Sequence, residues 1–370
     1  MKLFLYDETM QNEKAKLTTS KMAAVSDIVA PSPKYLSAAG ASAPASLVLT
    51  SGILISVGNS LFKAAGTTLT AANLDTGSGF TAGKDYYVYA CDPTSGDDTV
   101  DTDEVYKISL NATYPSGYTA DNSRKIGGFH YGIVRKTDSV GTPIGTDSAS
   151  FGTGWISNIY TGIVPASVWT VGHRPKCDDP SGMVYMGGGK WVDIYLCSDN
   201  GNSGVQSKSG ATPITGTEGL NWYIANERLK AVGKRLPSYA DFCQYAYGSP
   251  EGLDSGNTQA WSATGNTGRQ VTGYVDNAVS AIGCRDAVGN VWEWLDELCL
   301  DPTASVWGWQ DVLGSGYGDA YIPSSTALHA LVAGGHWLDG VLDGSRAVSA
   351  YNYPWNVTTN IGCRGVSDSL

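Results

Sequence analysis

Polar and apolar positions give the first half of the chain a β character. Leu47–Gly58 (LVLTSGILISVG) alternates with a period of two. Asp85–Asp92 (DYYVYACD) and Arg124–Lys136 (RKIGGFHYGIVRK) are aromatic and branched runs of strand length. Ahead of them, the pattern over residues 8–30 predicts an amphipathic helix, and Leu36–Ser46 (LSAAGASAPAS) reads as a small-residue linker. Past residue 165 the pattern is mixed. Leu220–Val232 (LNWYIANERLKAV) predicts a helix stopped by Gly233. Ser238 opens a second helix with Asp241 as its capping partner, and Gly248 closes it. Short strands and glycine-rich loops fill the remainder, with no repeat of 20–50 residues. The expected class is α+β, mostly β. At roughly 100–200 residues per domain, 370 residues make two or three domains.

Composition narrows the function. Charged residues are only 16%, whereas the chain has 46 Gly, 21 Tyr and 11 Trp, a mix suited to short strands and ordered loops. A net charge of −11 disfavours nucleic acid and anionic membrane surfaces, both of which need clustered Lys and Arg. No stretch approaches the roughly 18 apolar residues of a membrane span. The start, MKLFLYDETMQNEKAK, lacks a long apolar region and a cleavage site, and no Cys stands there for lipidation. The expectation is a protein that stays in the cell or leaves by assembly into a particle, with no membrane insertion. The seven cysteines are odd in number and include no C-x-x-C, which favours free thiols over a disulfide framework or zinc site. The six carboxylates of Asp92–Glu104 do not have EF-hand spacing and read as a solvated hairpin loop.

Catalytic signals are weak. The four histidines, His130, His173, His329 and His336, show no ligand spacing. No G-x-S-x-G elbow, G-x-G-x-x-G or P-loop is present, and the glycine runs at Gly187–Gly189 and Gly334–Gly335 suit tight turns.

The most specific strings are Cys284–Glu297 (CRDAVGNVWEWLDE) and Gly233–Phe242 (GKRLPSYADF). They resemble the C-type lectin variant found in formylglycine-generating enzymes. The resemblance implies that Asn290 and Glu293 help to hold a structural calcium, the one cofactor it suggests. On the other reading, Glu293 satisfies buried N–H groups or pairs with an Arg. Trp292 and Trp294 are expected in the core. The enzymes of that group carry a reactive cysteine pair where this chain has Gly334–Gly340 (GGHWLDG), without Cys. The three-histidine site of the related sulfoxide synthases and the sugar-binding tripeptides of animal lectins are also missing. A non-enzymatic role follows.

A wider set of segments resembles the phage major tropism determinant family: Ala82–Asp92, Tyr114–Tyr131, His173–Met183, Trp191–Leu196 and, above all, Gly334–Asp368. This resemblance implies an N-terminal attachment or oligomerisation segment (1–45), a β-sandwich-like intermediate domain (46–165) and a C-type lectin-like variable domain (166–370). It also implies a homotrimer at the phage tail tip, in contact with other tail proteins, that binds a bacterial surface protein or glycan. Members of the family are diversified by a retroelement that alters the two leading bases of Asn codons. Such codons never yield Lys, Glu, Gln, Met or Trp. Residues 311–370 contain no Lys, Glu, Gln or Met.

Carried over residue by residue, the variable positions are His336, Leu338, Asp339, Gly340, Leu342, Ser349, Tyr351, Asn352, Asn356, Thr358, Asn360 and Ile361. Exchangeable positions cannot carry the core, where large-to-small swaps cost about 2–5 kcal/mol, so all should face solvent. Tyr351 is the expected hot spot, with His336, Leu338 and Leu342 beside it. Trp337, Arg346, Pro354, Gly362 and Arg364 should be packed, the two arginines as buried struts partnered by Asp343. Trp355, which no Asn codon reaches, should be fixed. Two other readings remain: a formylglycine-generating-type enzyme with an altered site, and a diversified protein displayed on a bacterial surface.

Overall fold

The computed structural model describes residues 28–39, 44–58, 60–93, 104–137, 158–250, 268–300, 308–310, 320–322, 327–339 and 342–370. In its first half the spine is the strand Ser123–Arg135, which pairs antiparallel with Lys84–Cys91, Ile159–Ile163 and Trp169–Thr170. Val105–Ser109 extends the sheet beyond Lys84–Cys91. Lys84–Cys91 is buried on both faces, which explains its unbroken apolar run. Tyr86, Val88 and Ala90 enter one core with Leu36, Ile55, Phe62 and Phe129. Tyr87, Tyr89 and Cys91 enter a second with Trp169, Met183 and Trp191.

Two expectations for the N-terminal part change. Residues 8–27 lie outside the described residues, but Ile28–Val29 is a strand paired with Leu54–Ile55, not the end of a helix. Leu36–Ala38 is a strand paired with Leu47–Leu49, not linker. Leu36 is completely buried, and an apolar side chain that reaches the core holds its segment in a sheet despite small neighbours. The carboxylate-rich loop lies almost wholly outside the described residues.

Buried polar contacts join this half to the next. His130 bridges Asp85 Oδ1 (2.9 Å) and Tyr195 Oη (3.0 Å). The Arg135 guanidinium donates to the carbonyls of Val279 (2.9 Å) and Asn277 (2.8 Å).

Among the described residues the second half has two α-helices where the sequence places them, α1 (Trp222–Lys230) and α2 (Tyr239–Tyr245). Asn221 caps α1, and Ser238 with Asp241 forms the capping box of α2. The C-terminal strand Val366–Asp368 returns to pair with Lys190–Asp193, which pairs in turn with Met183–Gly187. A further sheet holds four strands: β1 (Trp292–Cys299), β2 (His329–Ala333), β3 (Val348–Asn352) and β4 (Ile361–Gly362). Their spatial order is β3-β2-β1-β4, with β1 and β4 parallel. All seven cysteines are free thiols, five of them buried.

Candidate functional site

Strand β1 starts within the G-N-V-W-E-W string, at Trp292, and is the hub of the C-terminal face. Trp294, Val332, Ala330, Ile361 and Leu236 share a core on one side of its sheet. Leu295 and Ala333 join another with Phe242, Tyr245 and Val366. Two loops leave this sheet. The first runs from β2 to β3, and the second from β3 to β4.

The first loop is tied at its base. Gly289 N–H donates to Gly334 O (3.2 Å), and Trp337 N–H to Asn290 O (3.3 Å). Gly335 has φ +84°, and a Cβ there would lie 1.8 Å from Asp343 Oδ1, so only glycine fits under Asp343. The second loop is tied to α1 and to β1: Trp222 N–H donates to Pro354 O (3.1 Å), Gly216 N–H to Thr358 O (2.9 Å), and Trp292 N–H to Asn360 O (2.9 Å). A Cβ on Gly216 would stand 2.3 Å from Thr358 N, so that close approach also requires glycine.

Beneath the loops lies a buried ion pair. Glu293 and Arg364 are both 0% exposed and meet at 2.8 Å. All five N–H donors of Arg364 are used, on Glu293, Asp193 O, Ile194 O and Arg285 O. The hydroxyl of Tyr245 donates to Glu293 Oε2 (2.6 Å). Burial disfavours the guanidinium cation, but Glu293 beside it more than compensates and raises its pKa. Burial, then Glu293, pushes the Tyr245 hydroxyl well above its ordinary value. A second buried pair, Lys234 with Asp193 (2.6 Å), lies in the same region. There too burial opposes the Lys234 charge, and Asp193 leads the groups that raise its pKa.

This arrangement does not fit the calcium reading. Both Glu293 oxygens are engaged by a guanidinium and a phenol, and the adjacent positive charge opposes a divalent cation. Asn290, completely buried with φ +61°, spends its side chain on the backbone of Gln270. Its role is to hold the turn whose carbonyl receives Trp337. Among the described residues, no cluster of three or more His, Cys, Asp and Glu side chains converges as a metal site would.

The predicted variable residues separate into groups. Tyr351 (69% exposed), Leu338 (70%) and Leu342 (70%) point into solvent. His336 and Asp339 are half-buried and hold each other: Asp339 Oδ2 accepts the His336 backbone N–H (2.8 Å) and contacts Nδ1. Ser349, Asn352, Asn356, Thr358 and Asn360 are half-buried. Asn356 closes a turn, its Oδ1 accepting Tyr353 N–H (2.7 Å). Gly340 lies outside the described residues. Ile361 does not match the expectation of exposure. It is 2% exposed, pairs with Trp292 and packs in the core beside Trp294.

The expected scaffold is also partly revised. Trp294, Arg364, Pro354 and Gly362 are buried, while Trp292 and Trp337 are half-buried. Arg346 is exposed, contrary to expectation; it contributes its backbone carbonyl, which accepts the Tyr239 hydroxyl (2.8 Å). The partner of Arg364 is Glu293, not Asp343. Sequence reasoning missed Val348 (42%), Trp355 (52%) and Val357 (54%) as exposed apolar neighbours on the same strand and loop. It also missed Asp193 and Tyr245 as supports; no local pattern marks Asp193, whereas Tyr245 follows from the predicted helix.

Comparison with known proteins follows the same division of the chain. Residues 37–156 match the family model described as the Mtd second domain, and residues 170–369 match the sulfatase-modifying factor enzyme 1-like domain. A tail fiber receptor-binding protein of Bordetella phage BPP-1 is 31% identical over 307 residues, which cover 78% of this chain and 72% of that protein. Among solved structures, the I1 variant of the major tropism determinant aligns with a TM-score of 0.67 at 27% identity, covering 93% of this chain and 86% of that one. The M1 variant aligns at 0.63 and 27% identity, with 97% of this chain and 86% of that one covered.

Proposed function

The chain belongs to the major tropism determinant family, and from that premise we propose that it is the receptor-binding protein of a phage tail, carried on the virion. Its C-terminal face contacts a bacterial cell-surface receptor. The observation that carries this reading is the contrast between neighbours. Tyr351 stands well out in solvent on strand β3, and Leu338 and Leu342 on the loop before it, whose base is fixed by backbone hydrogen bonds to Gly289 and Asn290. Large exposed aromatic and aliphatic groups on a held backbone are what an interface hot spot needs.

We assign the protein no catalytic role. Gly334–Gly340 has no cysteine for the enzymatic chemistry of the related fold, and Glu293 and Arg364 neutralise each other below the surface. Diversification by a retroelement would account for the residue types of the tail: each of the twelve positions carried over as variable bears a side chain reachable from an Asn codon. Homotrimer formation and multiple copies per particle would strengthen a weak single-face contact by about 10²–10⁴-fold.

The test is phage adsorption. Particles carrying Tyr351→Ala with Leu338→Ala should adsorb to cells of the propagating strain about 30-fold or more slowly, as expected on loss of a hot spot of about 2 kcal/mol. The purified variant should melt with the parent. Unchanged adsorption would remove this face from receptor binding. Sequencing the DNA beside the gene tests diversification: a near-copy of the 3′ end, differing only at adenines of the copy, should accompany a reverse transcriptase gene.

A further inference from the structure

Trp355 is the outermost member of an aromatic ladder that rises from the core. His329 is 1% exposed, with Nδ1 at 3.2 Å from Tyr351 O. Tyr353 packs on its ring at 4.5 Å, and Trp355 lies parallel to Tyr353 at 5.0 Å and 5°. The turn that presents the indole is closed on both sides. Asn356 N–H donates to Tyr353 O (2.9 Å), and Asn356 Oδ1 accepts Tyr353 N–H (2.7 Å). Buried Pro354 is pinned by Trp222 N–H. One indole face is covered by Tyr353, and the side chain is still 52% exposed. Its backbone and packing are set before any partner arrives, so little ordering cost remains to be met on binding.

The same stretch of chain is rich in exposed apolar groups. Tyr351, Val357, Val348, Leu338 and Leu342 are all more than 40% exposed. From Leu331 to Cys363 the formally charged residues are Asp339, Asp343 and Arg346. Asp343 is buried, and Asp339 is engaged with His336. In a chain of net charge −11, this stretch carries few free charges of its own. Such a surface selects a partner by apolar fit, which is the chemistry of a protein recess and not of a charged polysaccharide.

Resting on the receptor-binding reading, we infer that Trp355 is a constant anchor within the diversified face, and that it seats in an apolar recess of a protein receptor. No Asn codon can mutate to Trp, so this contact persists while Tyr351, Leu338 and Leu342 change around it. Retained affinity from one fixed aromatic lets variation in the others alter specificity without starting from zero binding.

The experiment uses whole phage with Trp355→Ala, Trp355→Phe or Tyr351→Ala. Adsorption is measured to cells of the propagating strain that are untreated, shaved with proteinase K, or oxidised with periodate, at low and high sodium chloride. Trp355→Ala should slow adsorption about 10-fold or more, with Trp355→Phe restoring most of it. Proteinase should abolish adsorption and periodate should not. Between low and high salt the change should stay within about 3-fold, since few charges are involved. Parent-like melting and assembly size of Trp355→Ala should accompany the loss. If Trp355→Ala adsorbs normally while Tyr351→Ala fails, the anchor is wrong and the receptor-binding reading stands. If both adsorb normally, that reading falls too. Periodate sensitivity with proteinase resistance would overturn the protein partner. A changed assembly size for Trp355→Ala would overturn the anchor and place the residue between copies of the chain.

Discussion

Ile361 and Tyr351 belong to the same set of sequence-predicted variable positions, yet they should respond to truncation in opposite ways. Ile361 is 2% exposed, on a strand parallel to β1, and packs with Trp294 and Val332. Ile361→Ala removes buried methylene and methyl groups and leaves a space that a sheet pinned on both sides cannot close. Such changes cost about 2–5 kcal/mol. For a domain of this size, each kcal/mol lowers Tm by about 2–4 °C, which gives a fall of roughly 4–20 °C. Ile361→Asn adds about 1–3 kcal/mol for a buried amide without partners. Tyr351, 69% exposed, should change stability by no more than about 0.5 kcal/mol on truncation, under about 2 °C. The assay is thermal and denaturant unfolding of the purified chain, followed by adsorption of phage carrying each change. Tyr351→Ala should melt with the parent and lose binding; Ile361→Ala should melt roughly 4–20 °C lower. Equal melting losses in the two variants, or an Ile361→Ala melt within about 2 °C of the parent, would refute the assignment of inward and outward sides.

Three further outcomes follow from the buried groups. Glu293→Gln should cost about 3–5 kcal/mol because it leaves the Arg364 cation uncompensated, while Glu293→Gln with Arg364→Met should cost less than the two single changes summed; denaturant midpoints around a double-mutant cycle check this. Asp286 is completely buried, and burial pushes its carboxyl up to about 6 against the opposing pull of Arg285. A raised folded-state pKa gives stability that is fully present below the unfolded value near 4 and is lost as pH rises through about 6. Asp286→Asn should therefore raise Tm at pH 7.5 and leave it unchanged near pH 4; a gain independent of pH would contradict this. Gly335→Ala forces a Cβ against Asp343 at a positive φ and should destabilise by about 3 kcal/mol or more, read from the same unfolding curves.

The sequence was most informative where local chemistry repeats a known physical solution. Ser238 with Asp241, and the stop at Gly233, located both helices because capping acts within a few residues. The buried run Asp85–Cys91 was legible as a strand from its aromatic and branched residues. Leu36 was misread because small neighbours imitate a linker, and only the distant strand Leu47–Leu49 makes them a sheet. The pairing of Glu293 with Arg364 was one of two open readings, and 71 residues separate the partners. Arg346 and Arg364 look equivalent in the chain. Only the fold distinguishes an arginine placed between Asp193 and Glu293 from one on a loop shoulder. Ile361 was misplaced for a similar reason: carry-over by position cannot tell the last loop residue from the first residue of β4.

The half-buried positions would limit what the proposed diversification can do. The side chains of Tyr351, Leu338 and Leu342 stand largely in solvent and can change in size and polarity. Asn356 must accept the Tyr353 N–H, and the Ser349 hydroxyl accepts the Tyr351 N–H (3.3 Å). Asp339 must accept from His336. Loss of one such bond costs about 0.5–1.5 kcal/mol, so losing several together would consume much of the 5–15 kcal/mol that keeps a domain folded. Asn-codon substitution, as proposed, would favour this economy. It offers Ser, Thr, Asp and Asn, which can all accept a nearby backbone N–H, and withholds the long side chains of Lys, Glu, Gln and Met, which would have to be ordered at greater entropic cost. The same restriction withholds Trp, so under the proposed diversification an aromatic ladder ending in Trp355 would lie beyond the reach of variation and be inherited intact.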